Sequence, residues 1–120
     1  MMTRPILCAI VLLLAGCATM QSVVNSKDQG TVRTYALSKD QAYDAAIRIL
    51  RSNPGFDHLE QDRASGYLMG AFNSSLGFLG VWIEPSDGAD TKVTAVLKTR
   101  TPFPAMTEKG FHDRLANAVK

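Results

Sequence analysis

Cysteine is almost missing from this chain of 120 residues: Cys8 and Cys17 are the only two, and both lie near the start. No internal disulfide can form beyond Cys17, although small domains in oxidising compartments often use one. The rest of the chain must therefore be held by an apolar core. Histidine is as scarce, with only His58 and His112. A zinc site needs three or four ligands, and two histidines among scattered carboxylates give no recognised ligand spacing. His112 stands beside Asp113, and adjacent helix positions do not face each other. Both histidines read as partly exposed polar residues. Asp87 and Asp90 in the DGAD stretch lack the further ligands of a calcium loop and read as a solvated turn. No serine lies in G-x-S-x-G, and the glycine-rich GYLMGAFNSSLGFLG has no phosphate-loop lysine. No enzyme, metal or cofactor is expected. Charge of one sign is also lacking: thirteen basic against eleven acidic residues leave +2, with no basic patch of the kind that binds nucleic acid.

What is there begins at the first residues. Arg4 precedes an apolar run from Ile6 to Ala15. About ten residues are too few to span a bilayer as a helix, which takes roughly twenty. A charged start, a short apolar run and small residues have the layout of a secretion signal. The run ends Leu14-Ala15-Gly16-Cys17, which resembles the lipobox of bacterial lipoproteins. The resemblance implies that residues 1–16 are a signal peptide cut between Gly16 and Cys17. It also implies that Cys17 carries a diacylglycerol and that the new amino terminus receives a further chain such as palmitate. Several acyl chains hold a protein on a membrane far more firmly than one, at about 0.8 kcal/mol per buried methylene. Ala18, where an Asp would imply inner-membrane retention, implies the periplasmic side of the outer membrane. The membrane is then one partner, through the acyl chains, and an envelope protein is expected as another.

Residues 17–30 read as the acylated cysteine and a polar, flexible tether, because ATMQSVVNSKDQG sustains no period. Residues 31–120 read as one small domain. Alternation predicts strands over residues 31–37 and 91–100, and short or strongly apolar runs predict strands over 56–61, 66–73 and 77–84. Ser38, with Gln41 three residues later, is a capping box. Tyr43, Ala46, Ile47 and Leu50 follow it at i, i+3, i+4, i+7 on one helix face, and Asn53-Pro54-Gly55 stops the helix. DRASG and EPSDGAD read as turns. TPFPAM breaks the sheet, since two prolines cannot both serve a ladder. Thr107 can cap a last helix with Phe111, Leu115, Ala118 and Val119 on its apolar face. The order β-α-β-β-β-β-α predicts an α+β domain, a mainly antiparallel sheet with helices on one face.

The runs ALSKDQAYDAAIRIL, GF, QDRASGYL and DGADTKVTAVL resemble the small helix-on-sheet domains of periplasmic lipoproteins, a group that includes the C subunit of the outer-membrane barrel assembly machinery. The resemblance implies the fold. A barrel-assembly role does not carry over to a single domain on a short tether.

Trp82, between Val81 and Ile83, reads as core or sheet-face packing. Two apolar loops remain. SSLGFLG offers Leu76, Phe78 and Leu79, and TPFPAM offers Phe103 and Met106, as a possible interaction surface, because loops run over protein surfaces. A crossover helix makes the first two strands parallel. Each hairpin then reverses direction, which places both apolar loops and the tether at one end of the sheet and both polar turns at the other. The expected function is a lipid-anchored, non-enzymatic interaction or envelope-maintenance module. The alternative is a carrier of a small ligand or lipid, with a pocket between helix and sheet.

Overall fold

The computed structural model describes residues 20–74, 76–100 and 106–118. Its elements are α1 (Met20–Asn25), a 3-10 turn (Lys27–Gln29), β1 (Thr31–Tyr35), α2 (Lys39–Ser52), β2 (Phe56–Asp62), β3 (Tyr67–Phe72), β4 (Gly77–Pro85), β5 (Thr91–Thr99) and α3 (Glu108–Ala118).

The capping box forms as predicted: Gln41 N donates to Ser38 Oγ at 3.1 Å, and Ser38 N donates to the Gln41 side chain at 3.0 Å. Two of the amides that a helix start leaves unpaired are thereby satisfied. Asp40 in the first turn and Arg51 in the last complement the helix dipole. The buried stripe of α2 is wider than a single i, i+3, i+4 row. It includes Ala42, Tyr43, Ala45, Ala46, Ile49 and Leu50, with Ile47 at its margin. Along α3, Phe111 and Leu115 are buried as predicted, and His112 joins them, whereas Ala118 is exposed. Thr107 Oγ1 accepts from Gly110 N at 2.9 Å, the cap read from the sequence. Val119 lies outside the described residues.

The five strands form one antiparallel sheet in the order β1-β5-β4-β3-β2, so the domain is α+β. β2 to β5 are a meander of hairpins, and β1 closes the sheet against β5, with Thr31 opposite Ala95 and Tyr35 opposite Thr91. β1 and β2 run in the same direction at opposite edges. The upper end of the sheet, where β2 starts and β5 finishes, carries the β3–β4 turn. The lower end carries the turns at residues 63–66 and 86–90.

Period-two alternation divides β4 between two apolar clusters. Leu79, Val81 and Ile83 face α2 and α3, together with Leu68, Phe72, Val93 and Ala95. Phe78 faces the other way, with Met69, Ala71 and Val96. The two helices expected on one face, α2 and α3, lie there; α1 is an additional helix, not expected from the sequence. Residues 20–29 are not an extended tether. α1 lies on the second face and drives Val23, with no exposed surface, into that smaller cluster. Gly80 makes the seat: a Cβ there would stand 2.2 Å from Val23 Cγ1. Six residues are fewer than two helical turns, too short for a periodic signal, and Val23 is the buried contact through which they meet the sheet.

Candidate functional site

The chain descends the second face along β4. Val23 sits over Gly80, and four residues later Lys27 lies over the Trp82 ring, Nζ 5.8 Å from its centroid, and donates to Glu84 Oε2 at 3.1 Å. Glu84 Oε1 stands 3.8 Å from Lys92 Nζ, so this carboxylate engages two lysines. Trp82 is half-buried beside Tyr67, ring centroids 5.0 Å apart. It is therefore packed on the sheet face and not in the main core. Because the segment runs downward from Val23 over Gly80 to Lys27 over Trp82, the upstream end of α1 is directed toward the Gly77 end of β4. Residues 14–17, including the proposed lipidation residue Cys17 and the cleavage neighbour Gly16, lie outside the described residues. Cys17 is three positions before Met20, a span of at most about 11 Å of chain.

The upper end is built around the β3–β4 turn. Asn73 and Ser74 both adopt left-handed backbone, φ 55° and 57°, a conformation that costs a non-glycine residue energy and persists only where its surroundings hold it. They are held: Asn73 N donates to Gly55 O at 2.8 Å, and Ser74 N donates to the Asp57 carboxylate. On the other side Arg100 N donates to Leu76 O at 2.7 Å. The turn is thus tied to the start of β2 and the end of β5.

Of the five residues expected at an apolar surface, Leu76 alone among those described is exposed, at 38 %. Phe78 and Leu79 are strand residues, not loop residues, buried on opposite faces of β4. Met106 is buried in the main core. Phe103 lies outside the described residues. Gly80 in β4 serves the close approach of α1.

The polar clusters do structural work. Buried His112 donates from Nε2 to Thr31 O (2.8 Å), which leaves Nδ1 to accept from Tyr35 Oη (2.6 Å). The hydroxyl also lies 3.2 Å from His112 O. Burial is the main cause that lowers the His112 pKa and raises that of Tyr35. Both ring nitrogens are committed, so His112 clamps α3 to β1 and has no free nitrogen for proton transfer. The expectation that His112 is partly exposed is corrected here. Glu108 works beside it. β5 runs past the end of β1, and Glu108 Oε2 accepts from the Leu97 amide (2.8 Å) while Oε1 accepts from Thr31 Oγ1 (2.5 Å). Arg33 and Lys109 flank Asp113, whose carboxyl they hold below the usual range, Lys109 contributing most. Arg63 stacks on the Tyr43 ring, 4.3 Å from its centroid, and pairs with Asp44 and Asp40. Its pKa is raised chiefly by the Asp44 hydrogen bond. His58 is exposed and contacts Glu60. Among the described residues, no group of three or more His, Cys, Asp or Glu could hold a metal ion.

The space between α2 and the sheet, where the alternative carrier reading would put a pocket, is occupied by the fully buried side chains of Tyr43, Leu50, Leu68, Val81 and Ile83. A cavity of about 260 Å³ lies elsewhere, lined by Leu37, Gln41, Asp44, Ala45, Arg48 and Ala118. Its polar members stand on the exposed side of α2. No described helix is long and apolar enough to cross a membrane. The chain matches no protein-family model, no curated protein and no solved structure.

Proposed function

We propose that this chain is a lipid-anchored module on the periplasmic side of the outer membrane, acting by interaction and not by catalysis. The observation that carries this reading is Leu14-Ala15-Gly16-Cys17 at the end of a short apolar run. The descent of α1 supports it, because a folded element begins only three residues after Cys17. An acyl anchor on Cys17 holds the sheet against the bilayer on a very short leader arm. The envelope partner is a protein that meets the domain at that surface. The test is Cys17→Ser with a clickable fatty acid supplied to growing cells. The parent chain takes up label, loses residues 1–16 and floats with outer-membrane vesicles. The variant takes up no label and keeps its leader. A mature chain whose mass shows an unmodified Cys17 thiol overturns the reading.

A further inference from the structure

The two ends of the sheet differ in charge. At the upper end stand Arg51, in the last turn of α2, and Lys98 and Arg100, at the end of β5. These three pair with no carboxylate among the described residues. The acidic groups nearby are engaged: Asp57 accepts from Ser74 N, and Glu108 accepts from Leu97 N and Thr31 Oγ1. At the lower end, Asp62, Asp87 and Asp90 stand at the two turns. Of the basic residues there, Arg63 is taken up by Asp40 and Asp44, Lys92 faces Glu84, and Lys39, beside Gly66, is outnumbered by the carboxylates around it. The exposed apolar Leu76 lies on the basic end, hydrogen-bonded through its carbonyl to Arg100 N. The upstream end of α1 points to that same end.

We propose that the upper end of the sheet is a membrane-docking surface, in which Arg51, Lys98 and Arg100 face anionic phospholipid headgroups and Leu76 enters the interface between them. This rests on the anchored reading above and gives it an orientation. Charge complementarity selects the lipid. Each basic side chain near an anionic leaflet contributes about 1 kcal/mol, and the carboxylates of the lower end are repelled by the same surface. The anchor raises the local concentration enough for three such contacts and one apolar side chain to fix a tilt. The hairpin at residues 86–90 then projects into the periplasm.

The experiment uses the acylated product, residues 17–120, in vesicles. Cys17 is blocked by lipid and Cys8 leaves with the leader, so an introduced cysteine is the single free thiol. Leu76→Cys and, at the opposite end, Asp87→Cys are each labelled with bimane. Quenching by headgroup-nitroxide lipid is read in phosphatidylethanolamine vesicles containing either phosphatidylglycerol or phosphatidylcholine. The label at position 76 is expected to be quenched strongly with phosphatidylglycerol and weakly with phosphatidylcholine or in high salt, and the label at 87 weakly throughout. Arg51→Gln, Lys98→Gln and Arg100→Gln should each lower the docked-to-undocked ratio about fivefold, with circular dichroism unchanged. Equal quenching at the two positions, or quenching at 76 insensitive to all three substitutions, overturns the docking surface alone. Failure to float with vesicles, with an unmodified Cys17 by mass, overturns the anchored reading and this surface with it.

Discussion

Gly80→Ala perturbs the seat of α1 directly. The new Cβ would stand 2.2 Å from Val23 Cγ1 and 3.2 Å from two carbons of the Trp82 ring. The ring is half-buried and needs to yield only a few tenths of an ångström. Val23 has no exposed surface, so it cannot yield without α1 lifting from the sheet. Overpacking of this kind costs about 1–3 kcal/mol. The upper limit is set by the loss of the valine's own burial, about 1.5–3 kcal/mol, because a terminal helix can detach at that cost. Val23→Ala alone removes two methyl groups and should cost about 1–2 kcal/mol. The informative measurement is the double variant. With Val23 truncated the obstructing Cγ1 is gone. Gly80 has no left-handed φ, so Ala fits the strand and gains up to about 1 kcal/mol by restricting the unfolded chain. Urea unfolding of all four proteins should therefore show strong coupling: Gly80→Ala destabilises the parent and is neutral or stabilising in the Val23→Ala background. Additive costs would refute the seating of α1 on β4.

Two further outcomes follow from the main core. Leu50→Ala, at a fully buried position on α2, should lower unfolding free energy in urea by about 2–5 kcal/mol, and a neutral result would mean that α2 does not pack through that side chain. The lowered pKa of His112 sets a pH dependence: the fold holds this ring neutral while the unfolded chain takes up a proton near the ordinary 6.5, so stability is full above that value and falls as pH drops from it toward the folded-state pKa. In His112→Asn, which removes the titrating group, stability measured by urea melts between neutral pH and the carboxylate range should lose this slope. An unchanged slope would show that His112 does not titrate differently in the folded chain.

What could be read from the sequence was what repeats or caps locally. Ser38 and Gln41 announce α2 because the box is a contact between neighbours in the chain. The hairpin turns announce themselves through Asp, Ser, Pro and Gly. β4 and β5 are nine residues each and rich in strand-forming residues, long enough to be recognised. What escaped depended on distant partners. α1 became ordered because Gly80, far along the chain, leaves room for Val23. Phe78 and Leu79 read as surface residues because the apolar stretch SSLGFLG straddles the turn and the start of β4. Their burial on opposite faces follows from a second apolar cluster that no single segment reveals. His112 looked exposed because its partners, Tyr35 and Thr31, belong to the opposite end of the chain. The apolar surface expected at the upper end was reduced to Leu76, and the basic side chains that accompany it were not singled out, since Arg51, Lys98 and Arg100 are brought to one end only by the strand order.

That strand order has a consequence for how the chain is made. β2 to β5 are successive hairpins and can pair as they appear, but β1 has no partner until residues 91–99 have arrived, since Thr31 pairs with Ala95. α1 must wait likewise for β4, which supplies Gly80. A chain crossing a membrane amino terminus first therefore exposes its earliest segment for the longest time. In the proposed reading, the stretch around Cys17 would meet a modifying or cutting enzyme before the sheet has formed. On that anchored reading, the late closure that slows folding by raising contact order would leave the Gly16–Cys17 bond open to processing until the chain is nearly complete.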